Sequence, residues 1–140
     1  MRVEFLNPLD LRKLQDNVWE TIAPFYVAIV NDDGSVVEVI VPRGFVTDLA
    51  SVPRLPFAYM LFGGIGEKAG VLHDALYSPW PEIKVLGIHS REPIEVTREW
   101  ADAVLYAALE ACNVGWFKRW MMYKGVRAFG WQFYKVKPSA

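Results

Sequence analysis

Two six-residue runs, Phe25-Tyr26-Val27-Ala28-Ile29-Val30 and Val36-Val37-Glu38-Val39-Ile40-Val41, flank the turn cluster Asn31-Asp32-Asp33-Gly34-Ser35. This arrangement constrains the fold more than any other feature of the chain. β-Branched and aromatic side chains suit a pleated, half-buried surface, and the polar cluster supplies the reversal, so the segment predicts a β-hairpin. Residues 19–22 read as another strand and residues 2–6 as an edge. A loop over 42–54 turns twice around prolines, and the Gly-rich stretch Gly63-Gly64-Ile65-Gly66 leads into a helix over 67–77. Residues 78–93, with prolines at 79, 81 and 93, read as an exposed loop.

The last third is helical. Thr97 is the expected N-cap of a helix running to residue 111, and Asn113-Val114-Gly115 punctuates its end. A further helix follows over 116–129. Strands first and helices after point to the α+β class, an antiparallel hairpin or small sheet packed by about three helices. With 140 residues, 53% of them hydrophobic and 22% charged, the chain reads as one domain spanning 1–140 with a substantial core. Cys112 is the only cysteine, so no internal disulfide forms. Neither a signal-like apolar run at the start nor a stretch long enough to span a membrane is evident, and synthesis and folding in the cytoplasm is the expectation.

The helix over 67–77 carries the most chemistry. At about 100° per residue, Ala69, Leu72, Ala75 and Leu76 share a core face. Gly70, His73, Asp74 and Tyr77 fall within a sector of roughly 100° on the flank. Asp48 follows Thr47 directly after a strand, where sites commonly sit. Asp102 stands among the apolar positions of the helix over 97–111, where a carboxylate needs a partner; His73 or a late arginine such as Arg127 can provide one.

Asp48, His73, Asp74 and Asp102 together offer one imidazole and three carboxylates. Such a set suits a divalent metal held by His73, Asp74 and Asp48 that activates water. It equally suits a metal-free His73 base oriented by a carboxylate, with Ser51 as a nucleophile. Structural readings stand beside these. Asp48 and Ser51 can cap turns, His73 and Asp74 can fix the helix on the sheet, and Asp102 can be an ion-pair partner. His89 lies apart, in the 78–93 loop.

The combination Gly44-Phe45-Val46-Thr47-Asp48-Leu49-Ala50-Ser51-Val52-Pro53, His73-Asp74-Ala75-Leu76-Tyr77, Ala101-Asp102 and Val126-Arg127-Ala128-Phe129-Gly130 resembles a small family of domains of unknown function found in tailed bacteriophages and prophages. The resemblance covers residues 44–130 in order. It implies a phage setting and marks Asp48, His73, Asp74 and Asp102 as characteristic polar positions, without implying a reaction.

The C-terminal end has its own character. After Glu110 no acidic residue occurs, while Lys118, Arg119, Lys124, Arg127, Lys135 and Lys137 give +6; with a net charge of −1 overall, the first 110 residues carry −7. The aromatics of 116–134 do not fit one narrow helical stripe. A core helix with basic residues reaching solvent, a contact with other phage structural proteins or copies of the chain, and contact with nucleic acid or membrane are the competing readings, with nucleic acid disfavoured by the lack of a groove-reading motif. The expected function is a particle-associated tail or cell-entry component, with a hydrolytic His–Asp site directed at the bacterial envelope. The alternatives are a structural or adaptor virion protein, and a cytoplasmic hydrolase or host-modulating factor.

Overall fold

The computed structural model describes residues 1–16, 18–48, 66–132 and 134. Over these the chain forms seven strands in two antiparallel sheets, with three α-helices. The larger sheet has the order β1–β4–β5–β7, and the smaller has the order β2–β3–β6. The strands are β1 (Arg2–Phe5), β2 (Leu11–Gln15), β3 (Val18–Thr21), β4 (Phe25–Val30), β5 (Val36–Val41), β6 (Val46–Thr47) and β7 (Lys84–Gly87). The helices are α1 (Glu67–Tyr77), α2 (Arg98–Ala111) and α3 (Trp116–Phe129), and a short 3₁₀ turn, Gly130–Gln132, follows α3.

The predicted hairpin is β4–β5, in the register Phe25↔Val41, Val27↔Val39 and Ile29↔Val37. All six of these side chains are buried, so alternation places one apolar face inward. β1 adds Val3 opposite Ile29, and β7 adds Val85 opposite Val39, extending the same rows to both edges. The turn uses Gly34 at φ +87°, while Asp33 accepts from the backbone N–H and hydroxyl of Ser35. Against this face pack Leu72, Ala75 and Leu76 of α1 and Val104, Leu105 and Leu109 of α2, in one hydrophobic cluster.

One expectation is corrected. Residues 78–93 are not only loop: Lys84–Gly87 joins the edge of the larger sheet, and Ile94 N–H donates back to Val85 O. Four residues between prolines are too few to display an alternating pattern. Strand β2, with three of its five residues polar or charged and mostly exposed, was equally silent. Helix α3, for which several readings stood open, is not a core helix. It buries only Met122, Gly125 and Val126 and leaves Trp116, Phe117, Trp120 and Phe129 exposed.

Candidate functional site

The site is built where β6 meets α1. Thr21, buried at the end of β3, organises the approach: its hydroxyl donates to Pro42 O at 2.7 Å and accepts from Phe45 N–H at 2.9 Å. Gly44 completes this turn at φ +92°, a conformation that favours glycine. The turn delivers β6 against α1, where the Thr47 hydroxyl donates to Asp74 Oδ2. Asp48 follows immediately and is exposed. Asp48 and Asp74, distant in sequence, thereby line one cleft of about 230 Å³ together with Phe45, Val46, Tyr77, Ser78 and Pro79.

His73 faces another neighbour. The 100° between consecutive helical residues turns Asp74 towards β6 and His73 towards α2. His73 is fully buried, and its Nε2 lies 2.9 Å from Asp102 Oδ1. The Tyr77 hydroxyl donates to the same oxygen at 2.5 Å, and Arg127 NH1 donates to Oδ2 at 2.8 Å. Arg98 NH1 stands 3.6 Å from Oδ2 and donates to the carbonyls of Val126 and Arg127, capping the end of α3. Asp102 thus receives bonds from α1 and α3 while sitting on α2. Burial pushes its carboxyl up, but the bonds from His73, Tyr77 and Arg127 outweigh it and hold Asp102 below the ordinary carboxylate range. An ionised carboxylate only accepts, so His73 carries its proton on Nε2 and donates. Burial, and then the bond to Asp102, raise Tyr77 well above the usual phenol value.

Tyr77 joins the two halves. It lines the cleft, and its hydroxyl reaches the buried carboxylate. Its ring lies 4.2 Å from that of His73 and meets Tyr134 edge-on at 5.3 Å. Gly130 makes room for it, since a Cβ there would stand 2.6 Å from the Tyr77 hydroxyl.

The four expected residues therefore divide into two pairs, Asp48 with Asp74 at the cleft and His73 with Asp102 sealed behind it. The expected compact polar sector is corrected accordingly: Gly70, His73 and Tyr77 are buried, and only Asp74 is partly open. Among the described residues no three His, Cys, Asp or Glu side chains are grouped to hold a metal ion. Ser51 lies outside the described residues. His89 is exposed in the turn after β7, and Cys112 is half-buried, with burial raising its thiol.

The expected Asp102–Arg127 pairing is present, whereas Thr47, Arg98 and Gly130 were missed as contributors. Arg98 and Asp102 stand at i, i+4 spacing, a signal readable in the chain. Thr47 and Gly130 gave no such signal, because their roles exist only across elements.

The sequence profile of DUF1353, a protein family of unknown function, matches residues 20–126. The chain belongs to this family. The DUF1353 match contains both halves of the site, Asp48 with Asp74 and His73 with Asp102, and stops just before Arg127 and Gly130. No curated protein and no solved structure matches the chain. No helix among the described residues is long and apolar enough to cross a membrane.

Proposed function

We propose that this chain is a phage-encoded, particle-associated component of the tail or cell-entry apparatus, whose acidic cleft receives a glycan of the bacterial envelope. It folds in the cytoplasm of the infected bacterium before incorporation. The phage setting rests on the resemblance of the Asp48, His73–Tyr77, Asp102 and Arg127–Gly130 segments to phage and prophage domains. The reading of the cleft rests on one observation: Asp48 and Asp74 line the same polar opening, with Tyr77 forming part of its wall. Carboxylates accept hydrogen bonds from sugar hydroxyls and attract ammonium groups.

Two carboxylates flanking a bond are also the means by which glycosides are hydrolysed, one protonating the leaving oxygen and the other activating water or attacking the sugar carbon. In this account Asp48 and Asp74 touch the substrate. His73 and Asp102 position the wall through Tyr77, since the full burial of His73 removes it from contact. An adaptor role without catalysis is the second reading, favoured by the closed, fully bonded arrangement around Asp102.

The test is binding and turnover of purified peptidoglycan glycan strands, measured by co-sedimentation and by release of new reducing ends. Asp48→Asn and Asp74→Asn, with folding verified by circular dichroism, should abolish both signals. Binding without new reducing ends selects the adaptor reading. Wild-type protein that neither binds nor cleaves the strands overturns the glycan assignment.

A further inference from the structure

Helix α3 has two apolar faces, and the fold uses one. Its inner side places Met122, Gly125 and Val126 against the rest of the domain, and Arg119 reaches inward to Val114 O at 2.7 Å. Around the outer side run Trp116, Phe117 and Trp120. Trp116 is 68% exposed, and Phe117 meets it edge-on at 5.8 Å and stacks with Trp120 at 6.4 Å. Lys124 Nζ stands 5.9 Å from the centre of the Trp120 ring, and Lys118 is exposed about 100° further round the helix from Phe117, off the side that carries Trp116 and Trp120. Trp131, 65% exposed, adds a fourth aromatic in the turn after the helix. No acidic side chain occurs after Glu110.

Aromatic groups clustered on an outward face, with Lys124 among them and no acidic residue in the segment, need a partner that is apolar at shallow depth and negative at its surface. A bilayer of anionic lipids has that profile. Trp and Phe lodge at the headgroup level, while lysines meet the lipid charge. The identity of the cations separates this partner from a protein. Lys is depleted at protein–protein interfaces and Arg enriched, yet here the arginines bond within the domain, Arg119 to Val114 O and Arg127 to Asp102, while Lys118 and Lys124 are exposed and Lys124 stands over Trp120. A chain of net charge −1 has no general attraction to an anionic surface, so the −7 carried by residues 1–110 orients the molecule with this helix forward.

We infer that the outer face of α3 docks peripherally on an anionic lipid surface, with Trp116, Phe117 and Trp120 in the headgroup layer, Lys124 over the lipid charge and Lys118 reaching it from the flank. The contact lies parallel to the surface and spans nothing.

The probe is phosphatidylglycerol-containing vesicles in a sedimentation assay with the full chain, beside vesicles of phosphatidylcholine alone. Binding to the anionic vesicles should be at least tenfold stronger and should weaken as salt is raised. Trp116→Ser combined with Trp120→Ser, and separately Lys118→Glu with Lys124→Glu, should each reduce it about tenfold or more. All four positions are exposed, so an unchanged thermal midpoint shows that folding is not the cause, and neither pair touches the acidic cleft. Absence of binding to anionic vesicles overturns the inference, as does equal binding to both vesicle types. Self-association that the same substitutions abolish, in protein that ignores vesicles, also overturns it and assigns the face to a protein contact.

Discussion

The hydroxyl of Tyr77 donates to Asp102 Oδ1 at 2.5 Å while the same residue lines the cleft that holds Asp48 and Asp74. A buried charge and an open site are therefore joined through a single side chain. Asp102 itself gathers His73, Tyr77 and Arg127, with Arg98 close by, so three helices converge on one carboxylate.

Removing that carboxylate takes from Arg127 its buried partner and breaks the bond between His73 Nε2 and Asp102. Asp102→Ala should destabilise the fold by about 3–5 kcal/mol, the range for breaking a buried ion pair by deleting one member. Urea unfolding at neutral pH measures it. A loss below about 1 kcal/mol would show that the cluster does not hold the helices together.

Asp102 also sets a pH dependence. Its folded carboxyl lies below the unfolded value, which is near 3.9. As pH falls, the unfolded chain takes up the proton first, so the contribution is whole above about pH 5 and is lost as pH drops through the folded value. The stability difference between wild type and Asp102→Asn should therefore be constant from about pH 5 to 7 and shrink below about pH 4. Unfolding free energies measured at several pH values in this window give the comparison.

Gly130 and Tyr77 should behave as a coupled pair. The added methyl of Gly130→Ala meets the Tyr77 hydroxyl at 2.6 Å, and Tyr77, almost completely buried, has no room to yield. The substitution should cost about 1–3 kcal/mol in wild type, as overpacking does, and clearly less in a Tyr77→Phe background. Equal costs in the two backgrounds would place the clash elsewhere.

Thr97 caps α2, its hydroxyl accepting from Trp100 N–H at 3.1 Å. Thr97→Ala should cost about 1 kcal/mol, and Thr97→Ser should recover most of it. Thermal midpoints of the three proteins suffice.

Much of the fold was legible in the chain because its signals are local. The β4–β5 hairpin, the Thr97 cap and the limits of all three helices follow from residues a few positions apart. Strands β2 and β7 were silent because each takes its identity from a partner strand, not from its own alternation. The site was legible in its members and misleading in its arrangement. His73 and Asp74 are neighbours on the helical wheel, yet α2 and β6 compete for that flank and draw the two side chains apart. The surroundings of α3 were left open for a related reason. Its sequence announces apolar surface without saying whether this chain supplies the cover.

The topology of the larger sheet carries a kinetic consequence. Its central pair, β4 and β5, closes over a five-residue turn, whereas its outer members come from residues 2–5 and 84–87. The hairpin can assemble on the microsecond scale of local structure. The edges must wait for distant chain segments to return, and the bond from Trp100 Nε1 to Asn31 Oδ1 closes a separation of 69 residues onto the hairpin's own turn. Folding speed should accordingly respond weakly to changes within that turn and strongly to changes that slow the docking of α2 upon it.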